Sequence, residues 1–264
     1  MANKQGDFVW YELMTPDAGA SARFYAGLLG WQVSDDPDYR EITASEGMVG
    51  GMLQLTPEMT SGGARPAWLG YIAVDDVDAT VERISANGGR TLMPARNMEG
   101  VGCFALVADP QGAPFYLFQS FGGSGDTSNA FAAERPMVGH CAWNELSSDE
   151  PAAAWRFYGE LFGWAKDGDM DMPALSDVEG GLLGKYEFIR HGFMLGAIMP
   201  RMPQMPASAW TFYFRVADID AANEYSKANG ATVLQEPMEI PGGEYSLNIM
   251  DPQGAAVGLV GPRK

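Results

Sequence analysis

Two carboxylates stand in matching surroundings, Glu12 in the run Trp10-Tyr11-Glu12-Leu13 and Glu145 in Trp143-Asn144-Glu145-Leu146. Each run reads as a β-strand, in which successive side chains point to opposite faces. Alternation puts Trp10, Glu12 and Met14 on one face and Val9, Tyr11 and Leu13 on the other, the latter packing on a helix. A carboxylate on an aromatic-lined face loses hydration, which disfavours its ionised form and raises its pKa. Glu12 and Glu145 are therefore candidate proton shuttles. The same placement suits a structural carboxylate hydrogen-bonded to an indole N–H, a Tyr hydroxyl or an Arg. Both readings stand on the sequence alone.

Other reactive groups are few. His140 and His191 are the two histidines; one reads as a strand-edge residue and the other as a turn residue, with acid–base work at a pocket mouth as the alternative. Cys103 and Cys141 fall at non-equivalent places, so they read as unbridged thiols and not as a disulfide framework. No Ser-His-Asp or Cys-His set can be assembled. Gly50-Gly51, Gly88-Gly89 and Gly242-Gly243 are turn or bulge glycines, and none makes a phosphate loop.

The elements that must hold Glu12 are a strand over Phe8 to Met14 and a helix opening at Asp17, with Phe24, Tyr25, Leu28 and Leu29 on one face and a stop at Gly30. Strands follow near Gln32 to Ser34, Tyr39 to Thr43 and Gly47 to Leu55. A second module then begins, with a strand over Ala67 to Val74 and a helix carrying Val77, Val81 and Ile84 that ends at Asn87-Gly88-Gly89. Its remaining strands are Thr91 to Met93, Cys103 to Ala108 and Pro114 to Gln119, the last two joined by an Asp-Pro-Gln-Gly turn. Asp75-Asp76 and Asp218 read as helix-start residues.

The whole pattern recurs. Residues 10–31 return without a gap at 143–164, an offset of 133, so Trp10, Glu12, Arg23, Phe24, Tyr25 and Trp31 meet Trp143, Glu145, Arg156, Phe157, Tyr158 and Trp164. In the second copy Asp149 is placed to cap the helix, Glu150 to occupy its first turn and Pro151 its first position. Downstream the offset is 142, aligning Ala86-Asn87-Gly88 with Ala228-Asn229-Gly230 and Asp109 to Ala113 with Asp251 to Ala255. About nine extra residues are thus expected in the second half, in the acidic stretch from Asp167 to Lys185, read as a solvated insertion. The sequence predicts an α+β protein of four βαβββ modules. They form two domains, 1–120 and 137–264, joined by a polar, Gly-rich linker at 121–136.

A length of 264 residues gives each domain enough chain for its own core. With 34 acidic against 17 basic residues, the net charge of −17 disfavours nucleic acid and anionic membranes as partners. The opening residues hold no apolar signal core and no apolar run is long enough to span a bilayer, so a soluble, cytoplasmic protein is expected. Sixteen Met, 13 Phe, 10 Tyr and 7 Trp supply core filling and adaptable apolar pockets.

Paired βαβββ modules, the Phe-Tyr-x-x-Leu-x-Gly-Trp-like first helix, the Val-Asp-Asp-Val-Asp strand end and the closing Asp-Pro-Gln-Gly turn together resemble the vicinal oxygen chelate superfamily. That superfamily includes glyoxalase I, bleomycin-resistance proteins and extradiol dioxygenases. The Trp-x-Glu-Leu opening, the Pro-Ala-Trp-Leu-Gly-Tyr strand and the tandem duplication look like its two-domain glyoxalase-like "hydroxylase" type. The resemblance implies cup-shaped mixed sheets in which metal-dependent members hold an ion on four strands by His, Glu or Gln. It places those positions at Trp10, Gln54, Leu69 and Tyr116 in the first half and at Trp143, Gly196, Thr211 and Gly258 in the second. Neither set offers the converging imidazole and carboxylate donors a divalent ion needs. No metal or other cofactor is expected.

The expected function is binding of a small, largely apolar or aromatic molecule in a metal-free cup. Its lining would include Trp10, Met14, Gln54, Tyr71 and Tyr116 in the first half and Trp143, Met194, Thr211 and Tyr213 in the second, with Asn144 as a weaker anchor. Trp68 and Trp210 should point the other way, into packing. An alternative is a lyase or isomerase using Glu12 or Glu145, or a dioxygenase, acting on a small carbonyl or aromatic substrate. A third is an interaction scaffold whose cups are filled by their own side chains. A small-molecule ligand or substrate is the implied partner, and a monomer or homodimer the expected assembly.

Overall fold

The computed structural model describes residues 3–122, 127–173 and 182–264. Part of the expected linker and the middle of the acidic stretch, 174–181, therefore lie outside the described residues. The first module runs β1 (Phe8–Thr15), α1 (Ala18–Leu29), β2 (Gln32–Val33), β3 (Tyr39–Ala44) and β4 (Gly47–Gln54). A short helix, α2 (Pro57–Ser61), leads to the second module: β5 (Ala67–Ala73), α3 (Val77–Ala86), β6 (Arg90–Met98), β7 (Gly102–Ala108) and β8 (Pro114–Ser120). The third module is β9 (Cys141–Ser148), α4 (Pro151–Phe162), β10 (Ala165–Pro173), β11 (Leu182–His191) and β12 (Phe193–Pro200). The fourth is β13 (Ala209–Arg215), α5 (Ile219–Ala228), β14 (Thr232–Glu239), β15 (Tyr245–Met250) and β16 (Ala256–Gly261).

The strands form two eight-stranded mixed sheets with the same order, β2-β3-β4-β1-β5-β8-β7-β6 and β10-β11-β12-β9-β13-β16-β15-β14. Neither closes into a barrel. The α+β class and the four βαβββ modules are those expected from the repeat. Helix starts follow local chemistry. Asp17 accepts from Ala20 N at 2.8 Å, Asp76 from Ala79 N at 2.9 Å and Asp218 from Asp220 N at 3.0 Å. In α4 the expectation fails: Glu150 takes the cap position without a side-chain bond. Asp149 turns instead to Arg201 Nε at 2.6 Å and to the Ser208 hydroxyl, because a long-range cation outcompetes a local amide for the carboxylate. The stops at Gly30 and Gly163 share a left-handed φ of 70°.

Compact packing divides the chain into two units. One contains residues 1–8, 71–127 and 143–210, which hold the second and third modules; the other contains 9–70, 128–142 and 211–264, which hold the first and fourth. Each unit carries the same polar lock. In the first, the Tyr158 hydroxyl donates to Asp109 at 3.1 Å and accepts from the Trp210 indole at 3.1 Å. In the other, Tyr25 donates to Asp251 at 2.9 Å and accepts from Trp68 at 3.0 Å. Both aspartates are buried and also accept turn amides from the Asp-Pro-Gln-Gly loop. Burial pushes both carboxyls above the usual range, and burial with the neighbouring carboxylate pushes both phenols far up. The Gly-Trp tryptophans recur likewise, Trp164 donating to Gly6 O and Trp31 to Gly139 O. Trp68 and Trp210 thus point into packing, as alternation requires. The described part of 121–136 is packed at Ala130 and Phe131.

The insertion is larger than the change in offset. Gly50 and Gly196, 146 residues apart, stand opposite Tyr11 and Asn144, which are 133 apart. Thirteen residues are therefore added around the β10–β11 hairpin, and four are lost before β13, where α2 has no counterpart. The added chain extends strands rather than only a loop. Its charges pair locally, Lys166 with Asp169 and Glu187, and Lys185 with Asp169 and Asp171.

Candidate functional site on the helix-free faces

In each module one sheet face packs on its helix and the other is turned away from it. Register assigns the residues. Thr15 bonds the Ser21 hydroxyl of α1 at 2.8 Å, and its ladder partner Gln54 accepts from Ala18 N at 2.9 Å and donates to Pro16 O. Gln54 therefore lies on the helix face and fastens the start of α1; it is not a pocket anchor. Gln119 does the same for α3, accepting from Val77 N at 3.2 Å. The ladder also makes Pro200, opposite Ser148, the counterpart of Gln54, while Gly196 matches Gly50. A bulge separates Met194 from Gly196: Ile189 faces Gly196 while the next residue, Arg190, faces Met194, so Met194 lies on the other face from Gly196 and Asn144 and stays with the candidate site. Asn144 is buried and donates to Leu195 O at 2.8 Å. Asn144 thus leaves the candidate site, because a one-residue change of register moves a side chain to the other face.

What remains on the helix-free face of the third module is a chain of hydrogen bonds. The Trp143 indole donates to the Tyr186 hydroxyl at 2.7 Å, and that hydroxyl donates to Glu145 Oε2 at 2.7 Å. Phe188 adds a ring 6.1 Å from Trp143 and 5.7 Å from Tyr186. Trp143 and Glu145 are half-buried, so the carboxylate has an aromatic setting and keeps access to solvent.

The first module repeats the start of this arrangement. Trp10 donates to the Tyr39 hydroxyl at 2.9 Å, and Tyr39 matches Tyr186, since each stands three residues before the isoleucine that faces Gly50 or Gly196. Here Glu12 is only 3% exposed and Met14 is buried. Tyr39 lies against Gly51, where an added Cβ would fall 2.1 Å from its hydroxyl oxygen. The equivalent position, facing Glu145, is Ala197. Tyr39 and Tyr186 escaped the sequence reading because the insertion shifts their offset to 147. The shared Tyr-x-x-Ile of 39–42 and 186–189 was the signal that could have found them.

The second and fourth modules differ more. In the second, Tyr71 stacks on Tyr116 with ring centroids 4.1 Å apart, and Tyr116 faces Leu106, which faces Met93. In the fourth, Tyr213 faces Gly258, Gly258 faces Asn248, and Asn248 faces Gln235, in the same register. Thr211 shares the Tyr213 face and is half-buried. Arg215, on that face, forms a two-pronged pair with Glu244 at 2.7 and 2.6 Å.

The histidines lie apart. His140 is fully buried and bonds Asn129 O through Nδ1 at 2.6 Å; burial holds its imidazole below the ordinary value. His191 Nε2 is 3.6 Å from Asp7 Oδ1. Neither cysteine is in a disulfide. Among the described residues no group of three or more His, Cys, Asp or Glu could hold a metal ion. The eight positions that the resemblance assigns to ligands hold two indoles, an amide, a phenol, a hydroxyl, a leucine and two glycines, a set without the imidazole and carboxylate donors that a divalent cation favours. Nor is any described helix long and apolar enough to cross a membrane.

Residues 7–117 and 138–259 each match the family model of the Glyoxalase/Bleomycin resistance protein/Dioxygenase superfamily. CFP32 of Mycobacterium tuberculosis (strain CDC 1551 / Oshkosh), a glyoxylase by name, is 32% identical over 98% of this chain and 96% of its own. The anthracycline biosynthesis protein DnrV of Streptomyces peucetius is 29% identical over 95% of this chain and 91% of its own. Among solved structures, the Mn(II)-bound glyoxalase of Novosphingobium aromaticivorans matches with a TM-score of 0.61 at 15% identity, covering all of this chain and 84% of the other. A catechol 2,3-dioxygenase matches at 0.63 and 14% identity, covering 99% and 94%. At such identities the structural likeness is one of fold.

Proposed function

The chain belongs to the glyoxalase/bleomycin resistance protein/dioxygenase superfamily, and on that premise we propose that it binds a small, largely apolar or aromatic molecule without a metal ion. The observation that carries this reading is the Trp143–Tyr186–Glu145 chain of hydrogen bonds beside Phe188, on a face its own helix leaves uncovered. Aromatic rings supply contact area at low entropic cost, and a few polar groups fix orientation. Relatives named for anthracycline biosynthesis support a ring-bearing ligand.

The test is quenching of intrinsic tryptophan fluorescence by anthraquinone. Saturable quenching that Trp143→Phe removes and Trp10→Phe leaves is the expected result; no quenching at any concentration overturns the reading. Stoichiometric metal retained through dialysis overturns its metal-free part. A second reading, a lyase or isomerase acting on a small carbonyl compound, is favoured by the same Tyr186–Glu145 pair, which has the geometry to pass a proton. Turnover abolished by Glu145→Gln with ligand binding retained would select it.

A further inference from the structure

Duplication copies a scaffold, so differences at equivalent positions of one face mark where the copies have been put to different use. On the helix-free face of the fourth module, Asn248, Gln235 and Gly258 stand where the second module has Leu106, Met93 and Tyr116. Arg215 replaces Ala73 by the same register. Three apolar side chains and a phenol have become two amides, a guanidinium and a glycine, on strands whose other face holds the fully buried Leu247, Ile249 and Leu259. Polar groups placed on a half-buried face are costly unless they are paired.

The pairing here is incomplete in a particular way. Asn248 Nδ2 donates to Gln235 Oε1 at 3.4 Å, and Gln235 donates to the Ser246 hydroxyl at 3.3 Å. Asn248 Oδ1 is buried with no hydrogen-bond partner, and so is Arg215 Nε. One is an acceptor and the other a donor. The remaining guanidinium nitrogens are taken by Glu244, which cancels the charge that would draw an anion.

We propose that the helix-free face of the fourth module recognises a neutral, flat molecule carrying both a hydroxyl (or amide N–H) and a carbonyl, through Asn248, Gln235 and Arg215. The first group donates to Asn248 and the second accepts from Arg215. Gly258 gives the Tyr213 ring room to lie along its strand, since a Cβ there would fall 2.4 Å from that ring. The assignment rests on the proposed small-molecule function.

The experiment compares two probes on the full chain by tryptophan quenching, 2,6-dihydroxyanthraquinone, whose hydroxyls are too far from its carbonyls to bond them internally, and anthraquinone, which keeps the carbonyls and lacks the donors. The dihydroxy compound should bind at least tenfold more tightly. Asn248→Leu and, separately, Gln235→Met, which install the second module's residues, should erase that preference and leave anthraquinone affinity within twofold. Equal binding of both probes by the wild-type chain, or a preference unchanged in both variants, overturns the assignment while leaving the proposed function standing. Equal loss of both probes in the variants also overturns it, as a packing effect. Failure of both probes to bind the wild-type chain overturns the function and this assignment together.

Discussion

The first and third modules share a Trp–Tyr hydrogen bond at matching positions, yet Glu12 is sealed at 3% exposure and Glu145 is half open. A single small residue separates them locally. Gly51 lets Tyr39 lie close against its strand, whereas Ala197 carries a methyl at the equivalent place. The third module also gains the longer β10–β11 hairpin, whose second strand delivers Tyr186 to Glu145. Repetition of a residue type therefore does not mean repetition of a role. One glutamate is sealed in the fold, and the other keeps access to solvent.

Scaffold and site can be separated by substitution, beginning with what the copies share. Asp109→Ala and Asp251→Ala each strip a buried Tyr hydroxyl and two turn amides of their acceptor, and should each cost about 3 kcal/mol in urea unfolding. A large effect in one copy alone would mean that the two locks are not equivalent. Gly51→Ala should cost about 2 kcal/mol, because the Tyr39 ring must move and its bond to Trp10 goes with it. The same measurement on Ala197→Gly should show less than about 1 kcal/mol beyond the intrinsic glycine penalty.

Glu145→Gln and Tyr186→Phe should each weaken anthraquinone binding about tenfold, roughly 1.4 kcal/mol, with little change in stability. Tyr39→Phe should leave binding unaltered. Equal effects of the two Tyr substitutions would erase the distinction between the modules.

The smallest effect is a pH dependence in the unit that holds the first module. Burial keeps His140 neutral below the ordinary imidazole value of 6.5, with the Glu46–Arg135 pair among its charged neighbours. As pH falls through 6.5 the unfolded chain takes up this proton first, so stability declines until the lowered folded value is passed. Asp109 and Asp251, whose carboxyls are raised, contribute the opposite slope at lower pH. His140→Leu should flatten the decline in unfolding midpoint between pH 7.5 and 5.5; an unchanged slope would assign it elsewhere.

Much of the architecture was legible because its causes are local. Asp17, Asp76 and Asp218 cap the helices they precede, Gly30 and Gly163 end theirs, and a 22-residue repeat reveals that the two halves are copies. Asp149 was misread because a residue 52 positions away claimed its carboxylate. Gln54 faces α1 rather than the expected cup because facing depends on register, and nothing short of the hydrogen-bonded ladder sets it.

The chain alone thus determined the elements, their order and the family they build, since periodicity, caps and turns act over a few residues. Only the tertiary structure decided which glutamate is sealed, that Tyr186 joins Trp143 to Glu145, and that the Asp-Pro-Gln-Gly turn locks onto a tyrosine far away in sequence. Those outcomes depend on which strands become neighbours and in what register, a property of the folded chain rather than of any segment of it.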